Sequence, residues 1–145
     1  MEFGICLSSL IPVRFEPAHR SEMVTQVLFG ELYRVVEKES SWVKIQLVYD
    51  NYEGWIQMLQ ANYIDEAEFH RLAGSETQMT NDLVQLLVNE TKNTMIPILP
   101  GSSLPALEGQ RLTIGSDVYL YEGSVADPTE LINMTGALRA LKIRQ

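Results

Sequence analysis

One thiol, two imidazoles and a scatter of carboxylates and phenols are the groups in this sequence that could do chemistry. Cys6 is the sole cysteine, so it is the only candidate thiol nucleophile. A reactive thiolate needs exposure and an electropositive neighbour. Cys6 instead falls in the apolar run Ile5–Val13 with no histidine close to it in sequence, and it reads as a buried, inert side chain. His19 and His70 stand far apart in polar segments and read as surface imidazoles. One cysteine and two distant histidines give no zinc spacing, so neither a metal nor another cofactor is expected. Pro100-Gly101-Ser102-Ser103 has the small residues of a phosphate loop but lacks its lysine and following helix. Trp42 and Trp55 have the chemistry of aromatic platforms for proline-rich peptides. Both fall in strand-like stretches, which favours packing instead.

The elements that must position these groups are mainly strands. Ile5–Val13 reads as one apolar strand, with Pro12 suiting an edge, and Phe15–Glu22 as a polar loop. Val24–Phe29, closed by Gly30, Glu31–Val36, Trp42–Val48 and Tyr52–Ile56 complete five short strands, the pattern of a small closed barrel. Val43, Ile45 and Leu47 share one face of their strand, Lys44 and Gln46 the other. Asp65–Ala73 places acids first and Arg71 late, with Gly74 just beyond, and predicts a short helix. Gly74–Asn81 is small and polar and marks a boundary. Asp82–Val88 and Met95–Leu99 are short apolar runs, the first open to either strand or helical turn. Arg111–Ile114 and Val118–Tyr121 flank a hairpin turn at Gly115-Ser116-Asp117. Asp127-Pro128 opens a predicted helix that aligns Leu131, Met134, Leu138 and Leu141. The resulting expectation is a mainly β chain: a barrel over 1–64, a linker with a short helix over 65–81, a second, divergent barrel over 82–126, and a helix and tail over 127–145.

Composition narrows the partners. The 145 residues carry a net charge of -8, with six Lys/Arg against eleven Asp/Glu in 1–72 and five against eight in 73–145. No basic stripe exists to neutralise phosphates, which argues against nucleic acid. An acidic surface also disfavours anionic membranes, but it suits a ligand bearing an amino group. No signal peptide or membrane span is visible after Met1-Glu2, and the single cysteine agrees with a reducing compartment, so a cytoplasmic location is expected.

Val13–Gly30 (VRFEPAHRSEMVTQVLFG) and Trp42–Ile56 (WVKIQLVYDNYEGWI) carry a more specific signal. The arginine-acid-proline loop, Ser21-Glu22 followed by Thr25-Gln26, the Phe29-Gly30-Glu31 turn and Tyr52-Glu53-Gly54-Trp55 resemble the N-terminal SH3-like domain of NlpC-type cysteine peptidases. The likeness is nearest to cytosolic members that cut γ-D-glutamyl-diamino-acid bonds in murein fragments. It covers residues 4–60 and thins over Met95–Gly123, where Ile96–Pro105 and Tyr119–Gly123 look like the family's second SH3-like domain. In that family a papain-like domain follows, with its nucleophile in an Asp-Cys-Ser-Gly motif. The motif does not occur here, so the chain by itself is not expected to be an enzyme. It is either the non-catalytic front of a longer peptidase or a stand-alone relic of one.

The resemblance also implies a binding site. In an SH3-like barrel the loop after the first strand and the turn before the last strands meet at one end. Glu16 or Glu22 from that loop and Tyr52 from that turn could then form one wall of a cleft. In the resembled enzymes this wall holds the free amino end of a peptide. A carboxylate suits that task through charge-assisted hydrogen bonds, and a tyrosine adds an apolar face and a hydroxyl. Glu16 and Tyr52 are the best matches and Asp50 a lesser one; the competing reading is that the acids cap the loop and Tyr52 packs on it. The expected partners are a murein-derived peptide and a papain-like catalytic domain, in the same gene product or another chain. A homodimer through the surface left exposed by a missing catalytic domain is also open, and an apolar surface near Leu131–Leu141 could pack on another chain. A stand-alone binding module for cell-wall peptide or protein, and a structural scaffold, are the alternatives.

Overall fold

The computed structural model describes residues 1–83 and 85–125. The first half forms β1 (Glu2–Ile5), β2 (Leu10–Arg14), β3 (Met23–Leu28), β4 (Leu32–Glu39), β5 (Trp42–Leu47), β6 (Glu53–Gln57) and β7 (Tyr63–Ile64). These seven strands pair in the order β3-β2-β6-β5-β4-β1-β7, all antiparallel. Strand β5 shows why the sequence folds this way. Its branched and apolar residues Val43, Ile45 and Leu47 recur every second position and are fully or almost fully buried, whereas Lys44 and Gln46 on the other face are only half-buried. Those three residues join Cys6, Ile11, Val13, Val24, Val27, Tyr33, Val35 and Ile56 in one apolar core.

The expected single strand over Ile5–Val13 is instead two. Cys6 gives its amide to Glu31 O at 3.0 Å and takes the Gly30 amide at 2.8 Å. Ser8 and Ser9 then bend the chain before β2 begins. β1 therefore pairs with β4 and β7, while β2 pairs with β3 and touches β6 at Arg14↔Trp55. Pro12, expected at an edge, pairs with Gln26 of β3, short of the point where β2 meets β6. The five strands expected are thus part of a seven-strand set, because the short strands β1 and β7 lie outside the alternating runs.

Helix α1 (Glu66–Ala73) forms as its charges direct. The Asp65 side chain accepts the Glu68 amide at 2.7 Å, and Gly74 donates to His70 O at 3.0 Å. Its buried face, Phe69 and Leu72, lies against Phe3, whose ring is 4.2 Å from that of Phe69. The charged side of α1 reaches the second half. Glu68 accepts from Arg71 Nε at 2.6 Å and from the Gly115 amide at 2.5 Å, and Arg71 donates to Thr113 O at 2.8 Å.

Beyond α1 the strands are β8 (Thr77–Met79), β9 (Gln85–Asn89), β10 (Thr94–Ile98), β11 (Ser103–Pro105), β12 (Arg111–Ile114) and β13 (Asp117–Leu120). They form a four-stranded sheet, β10-β9-β13-β12, and a two-stranded ribbon, β11-β8. The apolar run after Asp82 contains a strand, and the expected hairpin is β12–β13, turning at Gly115 with φ of +60°. Thr77–Met79, polar enough to read as linker, is a strand that buries Met79. A second core holds Phe3, Ile5, Phe29 and Leu32 from the first half, Phe69 and Leu72 from α1, and Leu87, Ile98, Leu104, Leu112, Ile114, Tyr119 and Tyr121 from the second. The two halves share it. The helix expected over Asp127–Leu141 lies outside the described residues. Among the described residues, no helix is long and apolar enough to cross a membrane.

Candidate functional site

The site expected from sequence depends on how β2 and β6 meet. They are antiparallel, in register at Arg14↔Trp55. Past Arg14 the chain therefore heads for the N-terminal end of β6, which the turn 48–52 feeds. The loop carrying Glu16 and Glu22 and the turn carrying Asp50 and Tyr52 leave the same end of this strand pair. Gly54 allows the close approach: a Cβ there would lie 2.4 Å from Val13 Cγ1 and 3.0 Å from the Arg14 carbonyl oxygen.

The loop is internally bonded. Phe15 donates its amide to Glu22 O at 2.8 Å and Glu16 donates to Ser21 Oγ at 2.7 Å. Ala18 donates to Glu16 O at 2.8 Å, Ser21 donates to Ala18 O at 3.1 Å, and Arg14 Nη1 reaches Ser21 O at 3.2 Å. His19 is exposed, as expected, but its ring also stands edge-on to Trp42 at 5.1 Å. Within this frame Glu16 and Glu22 are exposed. The turn is equally ordered. Asp50 Oδ1 accepts the Tyr52 amide at 3.1 Å, Tyr52 O accepts from Leu47 at 2.9 Å, and Asn51 adopts φ of +59°. Tyr52 is half-buried and packs on the core of the first half. That contact is with the core, not with the 15–22 loop.

The other chemical groups resolve simply. Cys6 is fully buried, its Sγ directed at Ser8 O at 3.3 Å, and burial pushes its thiol up to about 12. It is no nucleophile at neutral pH. Trp42 and Trp55 are only 7% and 6% exposed, so they are packed and are not open platforms. His70 lies 3.6 Å from Glu66 on α1. The amides of Gly101 and Ser103 are bound to Thr80 O and Phe29 O, so the Pro100–Ser103 loop has those donors committed to the fold. Among the described residues, no group of three His, Cys, Asp or Glu could hold a metal ion.

One acid in the structure goes beyond the candidates that the sequence supplies. Glu31 is 5% exposed, accepts the Leu28 amide at 3.3 Å, and lines a cavity of about 240 Å³ with Gly30, Val48, Tyr49, Met79 and Ser103. The only sequence signal for it is its place in the Phe29-Gly30-Glu31 turn. The residues opposite it come from β8 and β11, which no local pattern pairs.

Residues 13–59 match the family model of the bacterial dipeptidyl-peptidase SH3 domain. That segment is what is similar to a bacterial SH3 domain. The matched segment runs from the end of β2 through β6 and includes all four expected site residues. Among solved structures, a crystal structure of an NlpC/P60 family protein from Bacillus cereus ATCC 10987 is similar, with a TM-score of 0.67 at 15% identity. The likeness covers 86% of this chain and 56% of that one, so the chain spans little more than half of that relative's length. At that identity the similarity establishes shared fold. No curated protein matches the sequence.

Proposed function

We propose that this chain is the non-catalytic, substrate-positioning region of a bacterial cell-wall peptide cysteine endopeptidase. Glu16 pairs with the free N-terminal amine of a short murein-derived peptide, Tyr52 borders the same cleft, and Glu22 and Asp50 add negative potential. The bond-breaking residues come from a papain-like domain, in the same polypeptide or a partner, and the assembly works in the cytoplasm. The observation that carries this reading is the Arg14↔Trp55 register, which sends the Glu16 loop and the Tyr52 turn to one end of the β2–β6 pair. The bacterial SH3 match over 13–59 and the buried, high-pKa thiol agree with a peptidase-associated role without catalysis.

The test is calorimetric or NMR titration of the chain with a γ-D-glutamyl-diamino-acid peptide and with its N-acetylated counterpart. The free amine should bind about tenfold more tightly, the worth of one charge-assisted hydrogen bond at an exposed site. Glu16→Gln should remove that preference. Equal binding of both peptides to the unaltered chain would overturn the reading.

A further inference from the structure

The 15–22 loop carries a feature that sequence resemblance does not assign: a hydroxyl devoted to the backbone of Glu16. Ser21 Oγ accepts the Glu16 amide at 2.7 Å across five residues. The same residue's carbonyl receives Arg14 Nη1 at 3.2 Å, and its amide donates to Ala18 O at 3.1 Å. Ser21 thus uses hydroxyl, carbonyl and amide together to close the loop on itself. Phe15–Glu22 pairing holds the base of the loop, and His19 against Trp42 holds its tip. Without the hydroxyl, the Glu16 backbone would be held only by the Ala18 contact to its carbonyl and by its neighbours.

We infer that Ser21 is a positioning residue, which fixes the Glu16 carboxylate in the geometry that receives a peptide's terminal ammonium. This rests on the proposed role of Glu16. A loop already bonded in its binding shape loses little conformational entropy when ligand arrives, so the hydroxyl acts on affinity through preorganisation. It contributes little to global stability, because this hydrogen bond is solvent-exposed and water can replace the lost acceptor.

The experiment is a double-mutant cycle on the full chain, read by titration with the free-amine γ-D-glutamyl-diamino-acid peptide and its N-acetylated form. Ser21→Ala should weaken free-amine binding about fivefold, the size of one neutral hydrogen bond, and leave the thermal midpoint nearly unchanged. Ser21→Thr, which keeps a hydroxyl, should restore affinity. In the Glu16→Gln background, Ser21→Ala should have no further effect. If Glu16→Gln abolishes the amine preference while Ser21→Ala leaves affinity intact, the positioning role is overturned and the site reading stands. If Ser21→Ala weakens binding equally in both backgrounds, the hydroxyl acts independently of Glu16 and the inference fails. If Glu16→Gln leaves the amine preference untouched, the site reading itself falls, and the inference with it.

Discussion

Replacing Gly30 by alanine tests how the two halves are joined. Gly30 sits between β3 and β4 at φ of +83°, and a Cβ there would lie 1.9 Å from the Ser103 carbonyl oxygen and 2.7 Å from its carbon. The left-handed conformation alone costs a non-glycine residue about 1–2 kcal/mol. The overlap is worse, since both atoms are backbone and neither can rotate away. Relief requires drawing Ser103 off the β3–β4 turn, which breaks the buried bond from the Ser103 amide to Phe29 O at 2.8 Å. A buried donor left unpaired costs about 1–3 kcal/mol more. The combined loss, about 2–5 kcal/mol, is a large part of the roughly 5–15 kcal/mol typical of folded chains. Gly109 supplies the control. It has φ of +63°, but nothing lies within 4 Å of the position a Cβ would take, so Gly109→Ala incurs the backbone cost alone. At about 3 °C per kcal/mol for a chain of this size, Gly30→Ala should lower the melting midpoint by about 6–15 °C, and Gly109→Ala by about 3–6 °C, less than Gly30→Ala by the whole cost of the overlap. Circular dichroism melts of both variants at one pH provide the comparison. Equal depressions would refute the claim that Gly30 and Ser103 are pressed together.

Other side chains make separate, smaller tests. The Arg71 hydrogen bonds hold the Glu68 carboxyl below its ordinary 4.5, so its stabilising effect is present above that pH and is lost as pH falls through the lowered value. Glu68→Gln should therefore destabilise by about 1 kcal/mol at pH 7, with the difference from the unaltered chain fading in acid, as urea melts at several pH values would show. Cys6 should resist thiol reagents at pH 8 in the native protein and react promptly in denaturant; rapid native labelling would contradict its burial. Tyr121→Phe leaves the ring in the shared core but removes the hydroxyl that meets Thr80 Oγ1 at 2.5 Å, and chemical denaturation should register a loss of about 1–2 kcal/mol.

Much of this molecule is legible from local pattern. The period-two burial of Val43, Ile45 and Leu47, the charge order and cap of α1, and the Gly115 hairpin all follow from interactions within a few residues. The loop and turn bearing Glu16 and Tyr52 are found the same way, and Cys6 reads as buried, and is, because its neighbours in sequence are apolar. What the chain's order cannot supply is anything created by pairing across long separations. The break of Ile5–Val13 into β1 and β2 depends on amide bonds to Gly30 and Glu31, some two dozen positions away. Strand β8 exists because β11 lies beside it, not because Thr77–Met79 has a strong preference of its own. The Glu31 cavity and the shared core likewise arise only when distant segments are brought together. Local propensity sets which stretches can be strands or helix; which hydrogen-bonding edges and apolar faces satisfy one another is settled by the three-dimensional arrangement, where unpaired buried groups are too costly to persist.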